Sequence, residues 1–213
     1  MLSFACVASR STPHAAGPSV TLDLRVDDGT GRRVHTVALR VQIRIDPRQR
    51  RYSAEESARL TDLFGEPDRW ADTLQPLQLA TVPVMTPAFT GSVVVPVSVP
   101  LTYDLDVAAA RYLHGLACDD GSGDEVPLTL LFSGTLFYAG DDGIQVGLVP
   151  WHEEAEHRLP VAVWRAAMDE HFPGGGWVRL RRDVLDRLAA YRSANTLPTW
   201  DDALERLLKE AGG

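Results

Sequence analysis

Residues 126–150 read VPLTLLFSGTLFYAGDDGIQVGLVP, and this stretch decides the fold of the chain. Its first half places large apolar side chains at every second position, which is the period of a β-strand. Asp141-Asp142-Gly143 is a turn signal, because glycine tolerates positive φ and aspartate bonds to its own backbone. The alternation resumes over 144–148, so the stretch predicts a β-hairpin. Leu131 and Phe137 make the second face partly apolar, which favours a central strand covered on both sides.

Two earlier stretches carry the same period. Val20–Val26 and Val37–Ile45 alternate apolar and polar residues on either side of the turn signal Asp28-Gly29-Thr30-Gly31. Alternation with one apolar face is typical of antiparallel strands that have one buried and one wet side. The pattern therefore predicts a second hairpin, and we expect it to share one antiparallel sheet with the strands of 128–148.

A valine-rich stretch from Leu77 to Tyr103 is interrupted by four prolines, at positions 83, 87, 96 and 100. Proline cannot donate a hydrogen bond to a sheet ladder, so this stretch predicts strands at a sheet edge or strands with bulges. Val93, Val95 and Val97 form an apolar face within it.

Helical spacing dominates the end of the chain. Ser53 with Glu56 predicts an early, short helix through a capping box, and Pro160 opens a later periodic stretch. Thr199 with Asp202 predicts a last helix. Because strands and helices do not alternate, the sequence predicts an α+β fold in which C-terminal helices pack on one face of an antiparallel sheet. We expect a single domain over 1–213, in which 1–150 is mainly sheet with inserted helices and 151–213 is helical.

Composition excludes several classes of function. The 213 residues carry a formal net charge of −8, which argues against a general binder of nucleic-acid phosphates. Cys6 and Cys118 are too few and too far apart for a disulfide framework, which favours a reducing, cytoplasmic location. Residues 1–8 lack the basic start of a signal peptide, and no apolar run is long enough to cross a bilayer. We expect no membrane association and no cofactor.

Two clusters of histidine and acidic residues resemble metal sites in composition, but their spacing does not match the known sites. His152 and His157 are five residues apart, about 140° around a helix, whereas a zinc-protease helix needs four residues and about 40°. The acidic loop over 119–125 lacks the ligand order of a helix–loop–helix calcium site. Solvated loops are the favoured interpretation of both, and whether either binds an ion stays open. The sequence predicts no catalytic and no metal-binding residue.

Several segments resemble one family of uncharacterised bacterial proteins. They are Val41-Gln42-Ile43-Arg44-Ile45 with Arg51-Tyr52-Ser53, Leu63-Phe64-Gly65-Glu66 with Arg69-Trp70, Phe89-Thr90-Gly91-Ser92, Tyr103-Asp104, Phe132-Ser133-Gly134-Thr135, Leu159-Pro160-Val161-Ala162-Val163-Trp164 and Leu197-Pro198-Thr199-Trp200. Genes of that family tend to lie among those for nickel–iron uptake hydrogenases. The resemblance implies, by association only, an accessory or assembly role.

A weaker resemblance concerns element order. The strands at 20–26 and 34–45, the segment 134–140, a helix that ends at Phe172-Pro173 and Leu185-Asp186-Arg187-Leu188 in the next helix are similar to SecB-type export chaperones. The chain departs from that pattern by a large insertion over 47–116, a shorter first helix and a longer Phe-Pro to Leu-Asp spacing. The resemblance implies a sheet covered by helices and an ability to hold extended polypeptide.

These observations predict a non-enzymatic accessory or chaperone-like protein that binds another protein, either a hydrogenase subunit or a maturation factor. A structural subunit of a larger complex is the alternative, and an enzyme that acts on a small molecule or uses a metal is a third class. The chain is also compatible with a homo-oligomer. The predicted protein-binding residues are Val93, Val95, Val97, Trp177 and Arg179.

Overall fold

The computed structural model describes residues 2–116, 124–141, 143–175 and 178–212. Its strands are β1 Leu2–Ser11, β2 Ser19–Asp28, β3 Arg33–Ile45, β4 Leu77–Met85, β5 Phe89–Thr90, β6 Ser92–Pro100, β7 Glu125–Gly140, β8 Gly143–Leu148 and β9 Glu154–Pro160. Its helices are α1 Ala54–Arg59, α2 Thr61–Phe64, α3 Trp70–Thr73, α4 Ala108–Leu116, α5 Val161–His171, α6 Arg182–Ala194 and α7 Trp200–Glu210. None of these helices is long and apolar enough to span a bilayer.

The smaller sheet has three antiparallel strands in the order β1-β2-β6. Its inner face is a lattice of aliphatic side chains, because Leu22 lies opposite Val97 and Leu24 lies opposite Val95. All four side chains are buried. The two-residue period that the sequence shows therefore places one complete face of this sheet in the core.

The larger sheet is centred on two long strands, β3 and β7, which pair along almost their whole length. Strand β4 pairs with the other side of β3, and β5 adds a short contact at the start of β3. The far side of β7 is shared, since β8 pairs with its second half and β9 with its first half. The predicted hairpin over 126–150 is confirmed as β7 and β8.

The two sheets share one hydrophobic core. The rings of Phe4 in β1 and Phe132 in β7 stack with centroids 4.1 Å apart and thereby join the inner faces of the two sheets. Helix α5 contacts β1, β2 and β9, and it contributes Trp164 and Met168 to the same core. The fold is therefore α+β with antiparallel sheets, as the sequence predicts.

The chain divides into two compact units, Met1–Gly176 and Trp177–Gly213, where the sequence predicts one domain over 1–213. The first unit contains both sheets and helices α1 to α5. The second unit contains α6 and α7, and among its described residues only Ala203 is buried. The capping boxes of Ser53 with Glu56 and of Thr199 with Asp202 are both present.

The predicted hairpin of Val20–Val26 with Val37–Ile45 is wrong, and so is the single sheet that it implies. Strand β2 pairs with β1 and β6, whereas β3 lies in the other sheet. The buried carboxylate of Asp28 explains the crossing, because it accepts hydrogen bonds from Thr30 Oγ1 at 2.7 Å and Arg32 Nε at 3.0 Å. These bonds fix a loop that carries the chain from one sheet to the other instead of turning it back.

The interpretation of residues 152–157 as a solvated loop, within a mainly helical part 151–213, is also corrected. Residues 154–160 form β9, which pairs with β7 from Leu131 to Glu125. Its outward positions are charged and its inward positions, Ala155 and Leu159, are buried. Because only two inward positions of this short, highly charged segment are apolar, sequence reasoning did not recognise it as a strand.

Three of the four prolines lie on strands that end a sheet, as predicted. Pro83 is in β4, which ends the strand order of the larger sheet, and Pro96 and Pro100 are in β6, which ends that of the smaller sheet. Pro87 lies between β4 and β5.

Candidate functional site

The face of the larger sheet that points away from the core is the candidate site, and we call it the outer face. Strand register defines it, because residues directly opposite each other in antiparallel strands project to the same side. One row crosses four strands through Met85, Ala38, Thr135 and Leu148. None of these four side chains is buried.

One half of the outer face is apolar, and we call it the apolar stripe. It consists of Phe137 together with Ile144, Val146 and Leu148 of β8. Phe137 lies opposite Val146, so the exposed side chains of β8 continue a row that begins on β7. Ile144 is 66% exposed and Leu148 is 80% exposed. Soluble proteins seldom expose such a contiguous set of large apolar residues unless the surface binds something.

A groove lies beside the apolar stripe, under the side chain of Trp151. Its volume is about 460 Å³, and its lining residues are Arg40, Gln42, Thr81, Leu131, Phe132, Ser133 and Trp151. Trp151 is 91% exposed. Two backbone bonds hold the connection that carries it against β7, from Val149 N to Gly134 O at 3.0 Å and from Phe132 N to Glu153 O at 3.3 Å. The indole is thus an exposed aromatic wall on a fixed backbone.

The remaining half of the outer face is charged. Register places Arg44 and Glu156 on one row through Thr129, and Gln42 and Glu154 on the next row through Leu131. Gln42 donates to Gln78 at 2.6 Å and accepts from Arg44 at 3.1 Å, so these polar groups bond to one another across β3 and β4. The outer face is therefore amphipathic, with a polar half and an apolar half.

Strand β8 also ends the strand order of the larger sheet, and its edge differs from those of β4, β6 and β9. It contains neither a proline nor a charged residue over Gly143–Leu148, whereas β4 and β6 carry prolines and β9 carries charges. Prolines and charges at an edge prevent pairing with other chains. An edge without them is available for an added strand.

The predicted binding residues are not brought together on this surface. Val95 and Val97 are buried in the core, and Val93 is half-buried beside them. Their side chains therefore serve the inner face of the smaller sheet. Trp177 lies outside the described residues, and Arg179 is exposed in the second unit.

Sequence reasoning found β8 but missed that its apolar side chains face outward. The period of a strand is the same whether its apolar face is buried or exposed, so Ile144, Val146 and Leu148 gave no sign of their exposure. The useful signal was the second apolar face of β7, formed by Leu131 and Phe137. We expected a covering layer on it, and the described residues of the first unit leave it open.

A buried ionic cluster near α1 and α4 holds helices against the sheet. Arg50 Nη2 lies 2.7 Å from Glu56 Oε1, with both side chains less than a tenth exposed. The Tyr52 and Tyr112 hydroxyls lie 2.8 Å apart, and burial raises the pKa of Tyr52 to about 12. Burial likewise raises the pKa of Tyr112. These phenols stay protonated at neutral pH.

Burial shifts the pKa values of Cys6 and His157 in the first unit. Burial raises the pKa of the Cys6 thiol to about 11, which leaves almost no thiolate at neutral pH. Burial lowers the pKa of His157, whose ring bonds to the Cys6 backbone. Within the described ranges, no three histidine, cysteine, aspartate or glutamate side chains are grouped to hold a metal ion. The acidic loop falls largely outside those ranges, at 117–123.

The whole sequence, residues 1–213, matches the family described as "Family of unknown function (DUF6084)". The chain belongs to this family. No curated protein matches it. One solved structure that matches is beta-glucosidase 3B from Thermotoga neapolitana in complex with alpha-D-glucose, at 12% identity and a TM-score of 0.24. That match covers 74% of this chain and 17% of the glucosidase chain, and so low a TM-score carries no argument about function.

Proposed function

We propose that this member of the family is a non-enzymatic accessory or assembly protein that binds another protein through the outer face. The observation that carries the proposal is the apolar stripe, in which Ile144, Val146 and Leu148 are each at least 60% exposed. Burial of such side chains against a partner stabilises a complex through the hydrophobic effect. A surface that reacts with a small molecule would instead need convergent titratable groups.

The edge of β8 supports a particular mode of binding. An extended segment of the partner adds a strand beside β8, and every second residue of β8 directs its backbone N–H and C=O groups toward that strand. Side chains of the added strand that point outward then lie next to Val146. Trp151 supplies a rigid aromatic anchor at the end of the stripe, as tryptophan does at many protein interfaces.

Nickel–iron hydrogenase maturation is the process in which we propose that this binding occurs, and the resemblance of the sequence segments supports it. In this proposal the partner is a hydrogenase subunit or a maturation factor. The protein holds an extended apolar segment of that partner, in the manner of SecB-type chaperones.

Binding assays with a matched pair of variants test the proposal. Val146→Asp places a charge in the apolar stripe, and Val94→Asp places the same charge at an exposed valine of β6. The ligands are purified hydrogenase subunits and an array of peptides that alternate apolar and polar residues. We expect Val146→Asp to weaken binding at least about tenfold, because the buried charge is unpaired, and Val94→Asp to leave it unchanged.

Stoichiometry separates the proposal from a structural subunit. A transient assembly factor dissociates from the mature complex, whereas a subunit co-purifies with it at a fixed ratio. Equal binding by both variants, or no binding to any peptide or subunit, would contradict the proposal.

A further inference from the structure

The groove under Trp151 is lined by one charged side chain, that of Arg40, and its described lining residues include no carboxylate. Arg40 is exposed at the surface. Within the described ranges it forms no ion pair and no side-chain hydrogen bond. The whole chain carries a formal net charge of −8, so the groove differs in sign from the protein around it.

A second uncommitted donor lies beside this arginine. Ser133 is directly opposite Arg40 in the ladder between β7 and β3, and such opposite residues have Cβ atoms about 4.5–5.5 Å apart on the same side of the sheet. The Ser133 side chain is exposed and has no hydrogen-bond partner among the described residues. The other polar side chains of the groove are engaged, since Gln42 donates to Gln78 at 2.6 Å and Thr81 accepts from Gln78 at 3.2 Å.

The acidic side chains nearest to the groove do not pair with Arg40. Glu154 and Glu156 lie on β9, which β7 separates from β3, so two strand spacings or roughly 10 Å lie between them and Arg40. The Glu153 carboxylate lies 3.7 Å from His152 Nε2, and its side chain is only 13% exposed. The positive charge of the groove is therefore available to a ligand.

This combination of groups fits a carboxylate on an apolar stem. A guanidinium presents a planar set of N–H donors that matches the two oxygens of a carboxylate, and the Ser133 hydroxyl can donate a further bond. Leu131 and the Trp151 ring supply apolar walls for the methylene groups of the stem. One arginine balances one carboxylate, whereas a phosphorylated side chain carries a charge of about −1.5 to −2 and is typically bound by several arginines.

We propose that the groove under Trp151 binds a glutamate side chain of the partner segment, whose carboxylate accepts hydrogen bonds from Arg40 and Ser133. This inference rests on the proposed function and specifies its partner as a segment that is apolar beside β8 and acidic at the groove. Ser133 and Thr135 are two residues apart on β7, so the groove lies about 7 Å from the row that ends at Leu148. One segment can therefore occupy both surfaces.

Titration calorimetry with pairs of peptides measures the preference. The peptides are acetylated and amidated versions of the tightest binder from the array, with one glutamate or one glutamine placed at each position in turn. At one position we expect glutamate to bind at least about tenfold more tightly than glutamine, because only the carboxylate forms charged hydrogen bonds with Arg40. Arg40→Met should reduce that ratio to about one. Arg25→Met is the matched control on β2 of the other sheet, and it should retain the preference.

Charge reversal separates the role of Arg40 from a change of shape. Arg40→Glu should bind lysine at the preferred position more tightly than glutamine, because the charges are then complementary again. Equal binding of glutamate and glutamine at every position, with both weakened by Val146→Asp, would overturn this inference and leave the proposed function standing. A preference for a free C-terminal carboxylate over glutamate would also overturn it. No binding of any peptide would overturn both proposals.

Discussion

Individual residues determine how closely the strands of the larger sheet approach one another. Gly134 lies opposite Leu39 in the ladder between β7 and β3. A Cβ atom added at Gly134 would lie 2.0 Å from the carbonyl oxygen of Ala38, which is far inside van der Waals contact. Glycine is therefore required there by backbone packing, and the sequence alone does not reveal it.

Replacement of Gly134 by alanine should destabilise the protein by roughly 1–3 kcal/mol or more, because either β3 or β7 must shift to relieve the clash. Gly147→Ala is the control within the same hairpin, since a Cβ atom there would meet Tyr138 at an ordinary 3.6 Å. Urea unfolding of both variants measures the difference in free energy. Equal stability of the two variants would contradict this account of Gly134.

His157 gives stability a dependence on pH. Burial lowers the pKa of its imidazole in the folded chain, so the unfolded chain binds the proton more readily. The contribution of neutral His157 to the free energy of unfolding should therefore be complete above the unfolded pKa of about 6.5. It should decrease as the pH falls below that value. The comparison of wild type with His157→Gln in thermal melts from neutral to mildly acidic pH measures the effect. We expect a smaller loss of melting temperature in the variant, and identical pH profiles would show that His157 is not responsible.

At the scale of elements, the strands form two sheets because their inner faces fit one another. The Phe4–Phe132 stack joins β1 to β7, and the valines of β2 and β6 fill the remaining space. Alternation in the sequence predicted β2, β3 and β7 as strands, because that period is local. It did not predict which strands pair, since pairing of distant strands depends on loops such as the one fixed by Asp28.

Truncation of the core on β7 should be costly. Leu130→Ala or Phe132→Ala should each destabilise the protein by about 2–5 kcal/mol, because both side chains are buried and would leave a cavity. Leu148→Ala is the control, since that side chain is 80% exposed and its removal should change stability little. Chemical unfolding measures all three. A loss at Leu148 equal to that at Phe132 would mean that the outer face is covered within the chain.

At the scale of the whole molecule, the candidate site was only partly predictable. Sequence reasoning expected protein binding at the Val93–Val97 stretch and located the right kind of edge, since β6 and β4 do end their sheets. The valine side chains, however, point into the core. The exposed apolar surface lies instead on β8, whose apolar side chains project from the outer face of the larger sheet.

The purified protein should contain no stoichiometric metal ion. The described side chains hold no group of metal ligands, and His157 is engaged with the Cys6 backbone on the inner side of β9. Elemental analysis of the purified chain measures the metal content. About one zinc, nickel or iron per chain, lost in a His152→Ala/His157→Ala variant, would contradict this expectation.

Hydrogen exchange of the free protein and of its complex with the tightest-binding peptide or subunit tests the central claim most directly. If the partner adds a strand beside β8, amides of Gly143–Leu148 should exchange more slowly in the complex, because they become hydrogen-bonded to the added strand. Amides of β6, on the proline-bearing edge, should exchange at the same rate in both samples. Slower exchange in β6 with no change in β8 would contradict the claim that the outer face is the binding surface.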